Sequence, residues 1–358
     1  MNAKTIWIVV FTISISVTAH AQTSWEKLNS SVQAGFRGLS IVDQQTVWFS
    51  GAQGTILRTT DGGKTFADLS IPQIDPYDFR DIHAFDRDTA VVLNAGSPGA
   101  IYRTDNAGKT WTRVYNDVRP EIFFDAMDFW DQKHGIAFGD AIDGRLVIIR
   151  TTDGGKTWKE LPRDQQPVMK AGEGGFAASG TCLITSGKKT VWIGTGSHLK
   201  DQKSDHCRLL VSRDRGETWT HVRVPIPRNQ SSGIFSLCFV DDKHGIAVGG
   251  DYRKPDAIRS NVAITSDGGK TWSVPEFEND KQRPSGFRSV VVCTSHDGKS
   301  FFVTGGTNGI DISSDLGKTW QRQSRLSNNV LKAGPQSTLF GAGPNGLMIR
   351  GKFQNGSR

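Results

Sequence analysis

The residues of this 358-residue chain that could do chemistry fall into a few groups. Phe-Arg recurs as Phe36-Arg37, Phe79-Arg80 and Phe287-Arg288, and a fourth comparable position reads Phe124-Asp125. Guanidinium groups gathered at one place would hold carboxylates or phosphates by bidentate hydrogen bonds. The alternative is that each arginine pairs with a nearby acid, such as Asp81 or Asp125. Acids form the second group: Asp125, Asp140, and Glu173 within Gly172-Glu173-Gly174-Gly175-Phe176, where the glycines let backbone approach a ligand closely. Glu173 with Asp125 or Asp140 would make the acid/base pair of a glycoside hydrolase, whereas the plainer reading of that stretch is a flexible connection carrying one charge. A third group, Asp251-Tyr252-Arg253, sits in a polar loop suited to ligand contact. His198, Asp201, Asp205 and His206 are metal-ligand types in one loop, but their spacing matches no metal motif, and neither metal nor cofactor is expected.

The elements that must position these residues are set by one turn written six times. Its fullest form is Thr151-Thr152-Asp153-Gly154-Gly155-Lys156-Thr157-Trp158. The aspartates are read as Asp61, Asp105, Asp153, Asp214, Asp267 and Asp315, which lie 44, 48, 61, 53 and 48 residues apart. A period in this range indicates propeller blades or a similar array. Asp folds its carboxylate back onto nearby N–H groups, and the Gly after it supplies the positive φ of a tight turn. Six copies at six places cannot serve one active site, so these aspartates are read as structural. In the second copy Arg103 stands where Ser or Thr is expected.

Each repeat reads as three short strands, the turn, and a fourth strand beginning at the Trp. A seventh unit, Val330-Leu331-Lys332-Ala333, Thr338-Leu339-Phe340-Gly341 and Gly346-Leu347-Met348-Ile349-Arg350, has three strands and no such turn. Ser24-Trp25-Glu26-Lys27-Leu28 copies the post-turn pattern of Thr157-Trp158-Lys159-Glu160-Leu161. The N-terminus is therefore expected to pair with the strand around Leu347 to Ile349, closing a ring of seven four-stranded antiparallel blades and removing an exposed edge. The fold class is all-β.

The turns resemble the Asp box, [ST]-x-D-x-G-x-[TS]-W, of the Asp-box (BNR) β-propellers, a group that spans sialidases, sortilin-type receptors, xyloglucanases and photosystem II stability/assembly factors. In repeat form the chain is most similar to the assembly-factor group, with its Gly-Ile-Ala-Val-Gly second strands and Asp-Gly-Gly-Lys-Thr-Trp boxes. That resemblance implies a non-catalytic propeller that binds a protein partner through an arginine-lined patch, carried over by position to Arg37, Arg80 and Arg288. It also implies that the starts of the inner strands and the loops between second and third strands share one face, opposite the boxes. The other reading is a sialidase-like glycoside hydrolase. Phe36-Arg37 is similar to the start of the motif whose Arg binds a carboxylate, but Gly38-Leu39 replaces Ile-Pro, and none of the four tyrosines takes the nucleophile's place.

Bulk properties bound the rest. Lys4, the apolar run Ile6 to Val17 and Ala19-His20-Ala21 read as a signal peptide over residues 1–21, with a single propeller domain over 22–358 that works in the periplasm or outside the cell. No Cys lies near the cleavage point, so no lipid anchor is expected. The net charge of +7 is spread without a Lys/Arg run, which argues against nucleic acid and leaves a protein or acidic ligand. A monomer without stable membrane insertion is expected. The four cysteines, Cys182, Cys207, Cys238 and Cys293, allow two disulfides in three pairings. Since three of them fall in the first strands of different blades at different heights, they are read as buried thiols.

Overall fold

The computed structural model describes residues 22–74, 77–197, 199 and 205–354. Residues 1–21, with the expected signal peptide and cleavage site, and residues His198 and Asp201 of the long loop lie outside that set, as does the side chain of Asp205. Seven antiparallel blades stand in a ring. Their inner strands are Phe36–Ile41, Phe79–Ala84, Phe124–Phe129, Leu183–Ser186, Ser232–Phe239, Val290–His296 and Val330–Ala333. Second and third strands follow outward in every blade. In blade five the fourth position is reduced to a bridge between Ile264 and Ser273, and the short strands Glu173–Gly174 and Gly196–Ser197 extend the inner side of its sheet. Among the described residues the only helical turns are short 3-10 turns at Asp280–Gln282 and Pro335–Ser337, and no helix is long and apolar enough to cross a membrane.

The ring closes as expected. Thr23–Leu28 pairs with Met348–Phe353, and Trp25 lies opposite Gly351, two residues beyond the expected register. Every second strand is Val-, Ile-, Phe- or Ala-rich and buried on both faces, because each blade is sandwiched between two neighbours. One cluster illustrates this: Phe36, Phe49 and Leu57 of blade one pack with Val330, Phe340 and Met348 of blade seven.

The box turn works as the residue types require. Asp61 Oδ1 accepts the N–H of Thr65 at 2.9 Å and Oδ2 accepts its hydroxyl at 2.6 Å, while Thr59 Oγ1 donates to Asp61 and accepts Gly63 N–H at 2.8 Å. Gly63 has a φ of 92°, which a side chain would strain. The Thr65 hydroxyl, the largest cause, holds the Asp61 carboxyl below its ordinary range. Asp153, Asp214, Asp267 and Asp315 repeat the pattern.

Box two corrects the reading of Asp105. Here Asn106 is the staple: its Oδ1 accepts Thr110 N–H at 3.0 Å, its amide donates to Thr110 Oγ1 at 2.8 Å, and Thr104 supplies the hydroxyl that caps Gly108. Asp105 instead pairs with Arg103, which reaches Gly154 O in the box of blade three. The box is thus intact one residue later, with Asn replacing Asp.

The cysteines give a second correction. Cys238 and Cys293 form a disulfide between the inner strands of blades five and six, with Cα atoms 6.1 Å apart. Counting from unlike strand starts had put them at different heights. Cys182 and Cys207 are buried thiols, as expected.

Candidate functional site

In six of the seven blades, one residue at the start of the inner strand reaches the channel mouth. In blades one, two, three and five the ladder to the second strand slips, leaving Arg37, Arg80, Asp125 and Phe235 as the bulged residues. A bulge re-aims its extra side chain, and here all four line one cavity of about 390 Å³. The residue before each bulge in blades one, three and five donates its N–H to the carbonyl ending the second strand of the preceding blade: Phe36 to Gly343, Phe124 to Ala95, Ile234 to Thr195. In blade six the same bond is made by Arg288 to Gly249, and in blade seven by Asn328 to Gly306. The mouth positions of those blades are therefore Ser289 and Asn329, and both line the cavity.

This register separates the three arginines. Arg37 and Arg80 line the cavity; Arg288 does not. It occupies the position where blades one, two, three and five bury Phe or Ile and blade seven buries Asn328; its side chain is fully buried, and it pairs with Asp311 at 2.9 Å and donates to Gly309 O at 2.9 Å. Asp311 also accepts the N–H and hydroxyl of Ser285. Burial pulls the Arg288 guanidinium down to about 10, against the attraction of Asp311. The expectation that Arg288 shares the mouth is overturned: the dipeptide matches, but the inner strand of blade six has no bulge.

Arg80 holds Asp78 at 2.7 Å and lies over the Phe123 ring. Arg37 makes no ion pair among the described residues; its guanidinium donates to Ala178 O at 3.4 Å. Burial lowers its pKa, and the neighbouring Arg80 cation lowers it further. Beside them, Asp125 is 1% exposed, and among the described residues its Oδ2 has no hydrogen-bond partner. Burial raises its carboxyl well above the usual range, the charge of Asp140 adds to this, and Arg80 opposes it. Gly175 packs onto that carboxyl with no room for a side chain.

Glu173 is the other correction. It is 3% exposed and lies outside the cavity. Its Oε1 accepts Arg208 Nε and Thr195 Oγ1, both at 2.9 Å, and its Oε2 accepts Lys170 N–H at 2.9 Å and pairs with Arg208 Nη2. Burial works to raise its pKa, but the Arg208 hydrogen bonds lead a set of interactions that hold it below the ordinary value. The carboxylate is held ionised by these partners, and the connection that carries it is a buried anchor. Asp251 accepts from Ser231 and Arg253 N–H, and Arg253 reaches Gln230, so of that trio only Tyr252 faces the cavity. No group of metal-ligand side chains is present among the described residues.

The sequence reading missed the aromatic side of the mouth. Phe176 and Phe235 stack at 4.1 Å, Phe287 meets Phe235 edge-on at 4.7 Å, and Tyr252 stands edge-on to the stacked pair. Aligning the second-strand glycines Gly51, Gly139 and Gly249, which lie opposite Phe36, Phe124 and Ile234, would have put Asp125 and Phe235 in the place of Arg37.

Comparison with known proteins agrees with this architecture. The family described as photosynthesis system II assembly factor YCF48 matches residues 17–120. A photosystem II assembly lipoprotein Ycf48 from Synechococcus sp. (strain CC9902) is 22% identical over 288 residues, covering 73% of this chain and 81% of that protein. Xyloglucanase Xgh74A of Acetivibrio thermocellus is 24% identical over 273 residues, but the match spans 28% of that enzyme. Among solved structures, YCF48 bound to D1 peptide superposes with a TM-score of 0.60 at 18% identity, covering 91% of this chain and 96% of that one. Six boxed repeats, a seventh blade closed by the N-terminal strand and these similarities together make the chain a BNR-type β-propeller related to the photosystem II assembly factor.

Proposed function

We propose that the protein is an exported, non-catalytic binding and assembly propeller that holds a protein segment, or another acidic ligand, at the channel mouth on its loop-bearing face. The observation that carries this is Arg37, a half-buried cation beside a second cation, facing a cavity and, among the described residues, making no ion pair, with Asp78 the acid that acts on it. A desolvated guanidinium pair served by one carboxylate, Asp78, favours a bound anion. The class of partner is supported by the relatives, one described as an assembly lipoprotein and one structure as bound to a peptide. Nothing in the blades ties this chain to photosynthesis. Export with cleavage near Ala21, residues 22–358 as the working unit, a monomer, and no nucleic-acid partner complete the reading. Arg37, Arg80, Asp125, Asp140 and Tyr252 form its site. The hydrolase alternative loses Glu173 to Arg208.

The test is a pull-down from the native envelope fraction with identification of captured proteins, comparing wild type with the Arg37 and Arg80→Ala double variant, beside an assay on fluorogenic glycosides. Loss of a salt-sensitive partner in the double variant is expected. A double variant that keeps every partner, or a wild type that cleaves a glycoside, overturns the reading.

A further inference from the structure

On the box side of the ring a second cavity, of about 830 Å³, opens between blades three and four. It shares no lining residue with the channel mouth. Trp130 gives it an aromatic surface: the ring is half-buried against the core of the two blades, and its Nε1 donates to Thr190 O at 2.7 Å. Three cations line the same cleft, Arg150, Lys159 and Lys189. Arg150 and Lys159 lie directly opposite one another on neighbouring strands, and like charges so placed repel. Arg150 donates to Arg215 O at 3.0 Å and stands 3.7 Å from Glu217, but among the described residues neither Lys159 nor Lys189 makes an ion pair. The closing seam shows the ordinary arrangement. There Arg350 donates to Gly62 O at 2.9 Å in the next blade's turn, and the residue opposite it is Glu26, paired at 2.9 Å. After the box aromatic the remaining blades place Ala67, Thr112, Thr220, Ser273 and Gln321. Only blade three sets a lysine there, and a local conflict of this kind is kept where function needs it. We propose that the cleft binds an acidic oligosaccharide, a sugar chain bearing carboxylates, with one carboxylate among Arg150, Lys159 and Lys189 and a sugar ring against Trp130.

Three features select that ligand. The cations need an anion, and a carboxylate suits the planar fork of Arg150 flanked by two ammonium groups. Glu160 and Glu217 also line the cleft. An acidic peptide side chain brings them only like charge, whereas a sugar brings hydroxyl donors beside its carboxylate. Trp130, continued by Leu161 and Pro162, offers an apolar surface on which the C–H face of a sugar ring can lie. A cleft of about 830 Å³ is sized for a ligand of several rings, far beyond a lone phosphate or sulfate.

The experiment titrates fluorescein-labelled trigalacturonate against the full exported chain by anisotropy. The comparison probes are its methyl ester, a labelled triglutamate peptide, and inorganic phosphate as competitor at constant ionic strength. The sugar acid should bind at least about tenfold more tightly than the ester and than triglutamate, and phosphate should not displace it. Lys159→Glu recreates the Arg350–Glu26 arrangement opposite Arg150. It should abolish the preference for acid over ester while raising the thermal midpoint, so that lost binding is not lost fold. Lys189→Ala, at an exposed position, should weaken the sugar acid and leave the midpoint unchanged. No binding of the sugar acid, equal binding of acid and ester, a triglutamate that matches the sugar, displacement by phosphate, or an acid preference kept in Lys159→Glu overturns the inference. The Arg37 and Arg80→Ala double variant should bind the sugar acid as wild type does. Loss of the sugar in that variant would put it at the mouth, refuting the second site and leaving the anion-binding reading above standing.

Discussion

Blade one and blade six begin their inner strands with the same dipeptide, and the two regions use it in opposite ways. Phe36-Arg37 buries the ring and turns the guanidinium into the mouth, because a bulge inserts Arg37 between paired residues. Phe287-Arg288 is shifted by one: Phe287 joins the aromatic wall and Arg288 takes the buried wedge position, with Asp311 supplied to meet it. Role in this fold is assigned by register against the second strand rather than by residue type. Box two teaches the same lesson, since Asp105 looks like the staple and Asn106 performs it.

The comparison can be broken most directly at Arg288. Arg288→Ala leaves Asp311 buried without its cation and should cost about 3–5 kcal/mol by denaturant unfolding, with partner binding unchanged in the folded fraction. A loss of binding without loss of stability would put Arg288 back in the site. Next in size are the box changes. Asn106→Ala should destabilise by roughly 1–2 kcal/mol, as should Asp153→Ala, through the lost turn bonds. If Asp105→Ala costs more than Asn106→Ala, the reassignment of box two is wrong.

The channel interior sharpens the point for acids. Asp78 and Asp81 flank Arg80, yet only Asp78 pairs with it. Asp81 is buried and accepts Met127 N–H from blade three, and burial raises its pKa to about 7. His83, between the Phe85 and Phe129 rings, is lowered to about 4 by burial, against the pull of Asp128 and with Lys332 adding to the shift. The raised acid binds its proton more tightly when folded, so it removes stability as pH rises from about 4 to about 7. The lowered His binds its proton less tightly when folded, so it adds stability as pH rises from about 4 to about 6.5. The two oppose each other across one window. Wild type should show little slope there from this pair. Asp81→Asn should unmask a rise, and His83→Gln a fall, each up to about 1.4 kcal/mol per pH unit. Identical slopes in all three proteins would refute the opposition. The smallest stability effect belongs to Arg37→Ala, within about 0.5 kcal/mol, since the side chain makes one long hydrogen bond and sits beside a like charge. Its binding defect should be large at low salt and shrink as salt screens the wild type.

What was legible in the sequence was whatever repeats. The box recurs at a blade's period, and Ser24 to Leu28 copies a post-box strand, so blade number and closure could be read off. The site was half legible, because arginines and acids announce their chemistry but not their register. A bulge shifts every later position by one with no mark in composition, which is why Arg288 was misplaced and Ser289 overlooked. Phe235 and Phe287 carried no signal of their own, since alternation alone cannot tell a channel-facing ring from a buried one. Glu173 was misjudged because its partner, Arg208, lies 35 residues away across a loop.

The closing strand has a consequence in time. Among the described residues Thr23–Leu28 is the earliest strand in chain order and its sheet partner, Met348–Phe353, the latest, with Gln354 N–H donating to Gln22 O at 2.8 Å. Until Met348–Phe353 is made, Thr23–Leu28 has no edge to join, and the growing array carries an open edge of its own. Synthesis of Met348–Phe353 is therefore the event that seals the ring, and a product truncated before it is left with an unpaired edge prone to aggregation or proteolysis.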